Sequence, residues 1–276
     1  MLTTAIQKVY SVQVSCFSLE RTLDCGQCFR WERLEDGTWQ GVVAGRLLHV
    51  GQQGETLTFY RGGKEWFESF EREYFDLDRD YRAIDRLLCL DERLEQAAEC
   101  ARGIHILKQD PWEALCSFII SQNNNIPRIK GIVSRLCEAF GEEIEPGVYS
   151  FPAAEALAGR TVEEFTPLRS GFRAKYLLDA ANRVAGGQVN LEALRTMELD
   201  EARGLLCTIK GVGPKVAECA LLYGLGRMEC FPVDVWIARV MKKLFPEGLP
   251  CEFAPVAGFA QQYLFHYGRI HKITEK

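Results

Sequence analysis

Apolar positions follow two different periods along the chain. Up to about residue 75, short alternating or continuous apolar segments are separated by turn residues at 36–37 and 51–54. The predicted strands lie at 12–14, 28–31, 39–43 and 57–60. From about residue 76 onward the apolar spacing becomes helical. This change predicts an α+β fold, in which an N-terminal antiparallel twisted β-sheet packs on a mostly α-helical part.

Several helix boundaries can be predicted from individual residues. Segments 81–88 and 91–100 have helical periodicity. Asp110 is suited to cap a helix and Pro111 to occupy its first turn, followed by an apolar helix at 112–120. A polar segment with three consecutive asparagines then separates this helix from a basic one.

The segment 200–244 predicts a helix-hairpin-helix followed by a third helix. Asp200 is expected to cap the first helix. Gly211 and Gly213 suit a tight hairpin, Pro214 suits the first turn of the second helix, and Gly224 is expected to end it. The free N–H groups at the start of the second helix can bind a phosphate without reading DNA sequence.

Lys215 and Asp234 are the candidate reactive pair. Lys215 lies just inside the second helix, where a lysine can equally contact a phosphate, and Asp234 could be a simple N-cap worth about 1 kcal/mol. A helix over 214–224 is about 16 Å long, and the loop 225–233 can span up to about 30 Å. The chain can therefore return Asp234 to the level of Lys215.

Composition gives no global sign of a nucleic-acid partner. The 276 residues carry a net charge of −5, so DNA affinity has to come from a local patch. Such a patch surrounds the hairpin: Lys210, Lys215, Arg239, Lys242 and Lys243.

The 11 cysteines are scattered and odd in number, which favours reduced thiols in a cytosolic protein. Cys25 and Cys28 form a C-x-x-C without a second pair, and no segment predicts a membrane helix or a signal peptide.

The motifs G-V-G-P-K at 211–215 and P-V-D-V at 232–235 resemble the base-excision DNA glycosylases of the helix-hairpin-helix superfamily. The segments L-D-C-G-Q-C-F-R-W at 23–31 and S-Q-N-N-N-I-P-R-I at 121–129 are similar to those of 8-oxoguanine DNA glycosylases. The resemblance implies that Lys215 attacks C1′ of the damaged nucleotide and forms a Schiff base, while Asp234 stays ionised and favours the developing positive charge.

The resemblance also implies roles for the residues that would bind the lesion. The carbonyl of Gly26 would accept the N7–H that oxidised guanine has and guanine lacks. Cys219, one helical turn after Lys215, would stack on the lesion. Gln261 would bond the Watson–Crick edge of the base, and Phe265 would stack on its ring.

A further set of residues would contact the DNA. Asn123 and Asn124 belong to the loop that fills the gap left by the flipped base, Arg128 and Arg173 would read the orphaned cytosine, and Phe172 would act as the wedge. Gly211, Gly213 and Trp236 would lie at the phosphate backbone, with Trp236 departing from the histidine expected there. The carbonyls of Cys207, Ile209 and Val212 would hold a Na⁺ or K⁺ ion, as in relatives.

The resemblance therefore implies a bifunctional 8-oxoguanine DNA glycosylase and AP lyase acting on lesions paired with cytosine in double-stranded DNA. We expect a sheet domain with flanking helices over 1–105 and a helix-hairpin-helix catalytic domain over 106–276, with a cleft between the lobes. We also expect a monomer that needs no cofactor beyond a structural Na⁺ or K⁺ and no membrane, in the cytoplasm of a prokaryote and associated with the nucleoid.

Other functions stay open at this point. A non-catalytic helix-hairpin-helix module that binds duplex DNA explains 211–215 but leaves Asp234, Asn123 and Arg128 unexplained. An endonuclease-III-like or adenine glycosylase usually carries a C-terminal iron–sulfur cluster, whereas only Cys251 follows Asp234. An alkylated-base glycosylase would keep Asp234 without needing Lys215.

Overall fold

Five antiparallel strands form a sheet in the N-terminal part of the molecule. The structure is a computed structural model and describes residues 9–273. The strands are β1 (Tyr10–Gln13), β2 (Trp31–Arg33), β3 (Trp39–Val43), β4 (Arg46–Gln53) and β5 (Thr56–Phe59). Their spatial order is β1-β5-β4-β3-β2, so the first strand returns to pair with the last. The predicted antiparallel sheet is confirmed.

The sequence pattern missed one strand and shifted another. The predicted segment 28–31 becomes a strand only at Trp31, and β4 covers residues that the pattern partly assigned to a turn at 51–54. Gly51 lies within β4 opposite Thr58, and the turn forms at Gly54. A side chain at Gly51 would approach the Tyr60 hydroxyl to 3.0 Å. This glycine therefore serves close packing within the sheet and does not mark a turn.

The rest of the chain is mostly helical, in agreement with the predicted fold class. Helix α1 (Leu19–Leu23) precedes β2. After the sheet, α2 (Gly63–Trp66), a π-helical turn (Phe67–Glu71) and α3 (Arg72–Tyr74) follow one another directly. The later elements are α4 (Tyr81–Leu88), α5 (Glu92–Ala101), α6 (Pro111–Ser121), α7 (Ile126–Phe140), a hairpin of β6 (Glu143–Glu145) and β7 (Val148–Tyr149), α8 (Ala154–Leu157), α9 (Ala174–Ala185), α10 (Leu199–Cys207), α11 (Pro214–Leu225), α12 (Val235–Leu244) and α13 (Ala257–Ile270).

The apolar side chains form two clusters. One cluster lies between the sheet and the helical segment that follows it, and includes Trp31, Phe59 and Phe75. The larger cluster holds the helices, with the nearly all-apolar α6 at its centre against α7, α9 and α11. Within residues 9–273, none of the helices has both the length and the apolar content to cross a bilayer.

Two helix boundaries differ from the prediction, and packing explains one of them. Helix α10 begins at Leu199, so Asp200 lies inside its first turn and pairs with Arg203 at 2.5 Å instead of capping. Helix α11 continues past Gly224 to Leu225 and ends at Gly226, which has φ +69°. Gly224 therefore lies inside the helix. A Cβ at this position would lie 2.9 Å from the backbone of Pro111 on α6, which explains why the residue is glycine. This glycine allows α6 and α11 to approach closely.

Candidate active site

The hairpin between α10 and α11 presents the start of α11 to solvent. Gly211 has φ +79°, and a Cβ there would lie 2.4 Å from the Tyr176 ring, so the position requires glycine for both conformation and space. Gly213 is the residue before α11, and Pro214 occupies the first turn as predicted. The sequence therefore folds into an open helix N-terminus with its N–H groups directed outward.

Lys215 lies at this open end with its side chain half-buried. Its Nζ is 3.5 Å from Ser121 Oγ and 5.0 Å from the centre of the Phe118 ring, both on α6. The side chain thus extends from α11 across to the end of α6. The Lys215 amine is therefore held between the open start of α11 and the end of α6.

Cys219 is a buried thiol one helical turn after Lys215 on α11. Burial raises the pKa of the Cys219 thiol to about 11, while the neighbouring Lys215 charge lowers it and the Asp234 charge raises it. Among the described residues no ion pair within 4.0 Å joins the Lys215 amine to the Asp234 carboxylate. The N–H of Phe231 donates to Glu218 Oε2 at 2.9 Å, so the segment that leads to Asp234 returns to α11 within one turn of Lys215, as the loop length allowed.

Asp234 caps α12. Its Oδ1 accepts a hydrogen bond from the N–H of Ile237 at 2.8 Å, which confirms the predicted N-cap. Its two sequence neighbours, Val233 and Val235, are 50% and 64% exposed. The helix dipole favours a carboxylate at a helix N-terminus, and the exposed neighbours place this carboxylate near an accessible surface.

Gly26 and Phe265 meet at the far side of the same site. Gly26 has φ +85°, and a Cβ there would lie 3.4 Å from Phe265 Cε1. The buried Gln27 side chain fixes this turn by donating to the carbonyls of Thr22 and His105 at 2.9 and 2.8 Å and accepting from the Leu107 N–H at 2.9 Å. The Gly26 carbonyl is therefore carried by a rigid turn.

Gln261 lies one turn before Phe265 on α13 and is only 4% exposed. Its Nε2 donates to the carbonyl of Pro232 at 3.0 Å, two residues before Asp234. The structure thus brings Gly26, Gln261 and Phe265 together beside the segment that carries Asp234.

The asparagine loop has a separate local role for each of its residues. Asn123 is exposed and has φ +46°, a conformation that asparagine tolerates better than most residues. Asn124 Nδ2 donates to the carbonyl of Ile120 at 3.0 Å and so closes the end of α6. Asn125 caps α7 by accepting from the N–H of Arg128 at 3.0 Å. The loop therefore projects Asn123 and the exposed Arg128 from a well-anchored base.

Arg173 lies in a different environment from the one expected of a base reader. It is 2% exposed, and it donates to the carbonyls of Gln122, Asn123 and Ser170. Burial and the nearby Arg128 charge lower the pKa of Arg173. In this structure its guanidinium holds the asparagine loop, and reading a cytosine would require it to exchange these carbonyls for the base.

Phe172 is the exposed aromatic residue next to this loop. Its ring is 46% exposed, lies 4.4 Å beneath the Arg173 guanidinium, and contacts Tyr176 edge-on with centroids 5.7 Å apart. Tyr176 in turn covers Gly211 of the hairpin. The candidate wedge, the asparagine loop and the hairpin therefore form one continuous surface.

Comparison with known proteins identifies the family. The model described as "8-oxoguanine DNA glycosylase, N-terminal domain" matches residues 9–115, and that of the "HhH-GPD superfamily base excision DNA repair protein" matches residues 116–248. The N-glycosylase/DNA lyase of Saccharomyces cerevisiae is 31% identical over 261 residues, covering 84% of this chain and 69% of the yeast protein. The chain belongs to the 8-oxoguanine DNA glycosylase family of the HhH-GPD superfamily.

Solved structures of this family agree over nearly the whole chain. A structure of MBOgg1 in complex with a low-affinity DNA ligand has 43% sequence identity and a TM-score of 0.90, covering 96% of both chains. The Clostridium acetobutylicum 8-oxoguanine glycosylase/lyase, in complex with double-stranded DNA containing cytosine opposite 8-oxoguanine, has 38% identity and a TM-score of 0.87, covering 94% of both chains. The chain therefore has the fold of this glycosylase family.

Trp236 and the hairpin carbonyls complete the set of predicted residues. Trp236 is half-buried near the start of α12, with the Arg239 guanidinium 5.6 Å from its ring. Cys207 ends α10, and the carbonyl of Ile209 accepts from the N–H of Val212 at 3.0 Å. Within residues 9–273, no group of three or more His, Cys, Asp or Glu side chains could hold a metal ion. A Na⁺ or K⁺ ion on the three hairpin carbonyls stays a prediction.

Four further residues lie at this candidate site and were not predicted from the sequence: Phe118, Ser121, Tyr223 and Gln262. Tyr223 lies two turns after Lys215 on the same face of α11, and this spacing was available as a signal. The other three are on α6 and α13, and their proximity to Lys215 and Gln261 depends on how those helices pack. Five surface cavities of about 380 to 810 Å³ are lined by residues other than these four.

Proposed function

We propose that this protein is a bifunctional DNA glycosylase and AP lyase that excises 8-oxoguanine paired with cytosine from double-stranded DNA. The observation that supports the proposal is the half-buried Lys215 at the open start of α11, with the segment that leads to Asp234 held to Glu218 of the same helix and to Gln261 of α13. A non-catalytic hairpin module would need only the start of α11 to bind DNA. It would not explain why Asp234, Gly26 and Gln261 lie near this helix.

In the first step Lys215 Nζ attacks C1′ of the flipped nucleotide. The bond between Nζ and C1′ forms as the N-glycosidic bond breaks, and the electron pair of that bond leaves with the base, which takes up a proton. The carboxylate of Asp234 stabilises the positive charge that develops on the sugar. Its hydrogen bond to the Ile237 N–H at the start of α12 keeps the carboxylate oriented through the step.

In the second step the sugar ring opens and the lysine adduct becomes a protonated Schiff base. Loss of a proton from C2′ then pushes electrons toward the iminium and breaks the bond between C3′ and its oxygen, releasing the 3′ phosphate. Both steps use protein side chains and need no cofactor. A Na⁺ or K⁺ ion on the carbonyls of Cys207, Ile209 and Val212 would support the hairpin that binds the phosphate backbone.

The substrate would be recognised from both strands. The Gly26 carbonyl would accept the N7–H of the lesion, a contact that normal guanine cannot make. Asn123 and Phe172 would occupy and wedge the gap in the duplex, and Arg128 would contact the orphaned cytosine. Because Gln261 is buried and the Phe265 ring lies against Gly26, we infer that entry of the base requires Phe265 to move.

The setting of the protein is also a proposal. We infer that the protein acts as a monomer on DNA and that it works in the cytoplasm, associated with the nucleoid of a prokaryote. The curated N-glycosylase/DNA lyase relatives come from a yeast, a plant and an archaeon, and one solved relative comes from Clostridium acetobutylicum, so the source remains a prediction.

The decisive experiment is borohydride trapping on a duplex that contains 8-oxoguanine opposite cytosine. We expect the wild-type protein to form a covalent adduct and Lys215→Gln to form none, because the amide cannot make a Schiff base. Lys64→Gln, on the exposed start of α2, is the control for loss of one positive charge.

Binding of the same duplex should separate chemistry from affinity. We expect the dissociation constant of Lys215→Gln for this duplex to stay within about tenfold of the wild-type value, because the substitution removes only one positive charge near the DNA phosphates. A wild-type protein that cleaves without ever giving the trapped adduct would exclude the Schiff-base mechanism.

A further inference from the structure

Glu218 lies on α11 three residues after Lys215 and uses both of its carboxylate oxygens. Its Oε1 accepts two hydrogen bonds from the Arg203 guanidinium of α10, at 3.0 and 2.6 Å. Its Oε2 accepts the N–H of Phe231 at 2.9 Å. The side chain is 14% exposed, so these contacts are largely shielded from water. Glu218 therefore joins α11 to two other parts of the chain.

The contact with Phe231 holds a segment whose backbone has little other support. Residues 231–234 form neither a helix nor a strand. Within the described part of the chain, the backbone of this segment makes two hydrogen bonds before α12 begins. One runs from the Phe231 N–H to Glu218 on α11. The other runs from Gln261 Nε2 on α13 to the Pro232 carbonyl at 3.0 Å, so the segment is held from two sides.

Glu218 links the helix that carries the amine to the segment that carries the carboxylate. Three residues of helix separate Glu218 from Lys215, a rise of about 4.5 Å. Phe231 lies three residues before Asp234, and three residues of extended chain span at most about 11 Å. The hydrogen bond between Glu218 and Phe231 therefore limits how far the Asp234 carboxylate can move from this end of α11.

We propose that Glu218 is a positioning residue for the glycosylase step, which holds the Asp234 carboxylate in place relative to Lys215 Nζ. This inference rests on the proposed function. The charge of Glu218 is paired with Arg203, so its contribution is the hydrogen bond to the Phe231 N–H. A carboxylate stabilises a developing charge only when it is correctly placed, and a misplacement of about 1 Å can lower a rate by about a hundredfold.

Removing the acceptor should release the segment. We expect Glu218→Ala to lower the single-turnover rate of 8-oxoguanine excision opposite cytosine by about tenfold to a hundredfold, measured with the enzyme in excess. The dissociation constant for this duplex should stay within about threefold of the wild-type value, because the substitution removes no positive charge that could neutralise a phosphate. The Phe231 amide should also exchange its hydrogen with solvent faster, because its acceptor is gone.

Two variants separate this hydrogen bond from the ion pair. Arg203→Met breaks the same ion pair but leaves Glu218 Oε2 with the Phe231 N–H, so it should keep the wild-type rate within about twofold. Arg203→Met combined with Glu218→Gln keeps an amide oxygen for the Phe231 N–H, and no guanidinium then opposes the amide nitrogen. This double variant should match Arg203→Met, although the charge at Glu218 is gone.

A further comparison tests whether Glu218 acts through Asp234. Asp234→Asn removes the charge that Glu218 is proposed to position. Adding Glu218→Ala to Asp234→Asn should therefore change the remaining excision rate by less than about twofold, because the two residues act as one unit. General damage to the fold would instead lower the rate by the same factor in both backgrounds.

The outcomes also separate this role from the function on which it rests. A wild-type protein that does not excise 8-oxoguanine would overturn the proposed function and the positioning role together. If the wild-type protein excises it, the positioning role alone is wrong in any of three cases. These are a wild-type rate in Glu218→Ala, an equal loss of rate in Glu218→Ala and Arg203→Met, and an undiminished effect of Glu218→Ala in the Asp234→Asn background.

Discussion

Arg128 and Arg173 belong to the same loop surface but differ in what surrounds them. Arg128 is exposed and free to reach a base, whereas Arg173 is buried and holds the carbonyls of Gln122 and Asn123. The sequence suggested one role for both residues, because arginine suits an orphaned cytosine. The two environments predict different consequences when each side chain is removed.

We expect Arg128→Ala to reduce excision opposite cytosine by about tenfold to a hundredfold, as for loss of one base contact, while excision opposite adenine changes little. Arg173→Ala should lower both rates and the thermal midpoint, because it leaves the loop carbonyls without their donor. The measurement is a set of single-turnover rates on the two duplexes with a thermal melt of each variant. Equal rates opposite cytosine and adenine in the wild-type protein would contradict the reader role.

At the level of elements, Asp234 has a structural and a chemical role at one position. Its carboxylate caps α12 through the N–H of Ile237, and the same group is proposed to stabilise positive charge on the sugar. Asparagine caps a helix about as well as aspartate, whereas alanine does not. Substitutions at this single position can therefore separate the two roles.

We expect Asp234→Asn to keep the thermal stability of the wild type and to lose about a hundredfold or more in excision rate, since the cap remains and the charge is gone. Asp234→Ala should lose similar activity and about 1 kcal/mol of stability as well. Denaturant unfolding and single-turnover excision give the two quantities. Full activity in Asp234→Asn would show that the charge is not used.

At the level of the whole molecule, the sheet and the helices meet through buried polar contacts as well as apolar packing. Arg30, which follows the Gly26 turn, pairs with Glu113 on α6 at 3.4 Å. Burial raises the pKa of Glu113 to about 7 despite this partner.

Glu71, in the π-helical turn after the sheet, is fully buried and has no hydrogen-bond partner for either oxygen within residues 9–273. Such a group makes stability depend on pH.

Burial raises the pKa of Glu71 from 4.5 to about 8, with Arg46 lowering it in part. Between these values the folded chain holds a proton that the unfolded chain has released, so stability falls as the pH rises through this window. We expect Glu71→Gln to raise the thermal midpoint at pH 8.5 by about 2 to 4 °C, equivalent to about 1 kcal/mol in a chain of this size, and to change it little at pH 4.5. The exposed Glu65→Gln should have no such pH dependence. An equal shift at both pH values would contradict this account of Glu71.

The sequence by itself determined the local elements and the chemical groups. Alternation and helical spacing predicted the sheet and the helices, and Asp110, Pro214 and Asp234 begin or cap helices as predicted, because capping depends on residues a few positions apart. Strand β4, the start of α10 and the end of α11 were misjudged. At Gly51 and Gly224 the deciding contacts come from Tyr60 and Pro111, and residues of neighbouring elements are invisible to local patterns.

Only the tertiary structure decided which of these groups share a site. The packing of α6, α11 and α13 places Phe118, Tyr223 and Gln262 between Lys215 and the turn of Gly26, and these three residues have no motif of their own. It also decided that Arg173 is buried while Arg128 is exposed. The physical reason is that hydrogen-bond partners and solvent exposure depend on distances between segments far apart in the chain. A sequence lists the donors and acceptors, but the fold determines which of them meet.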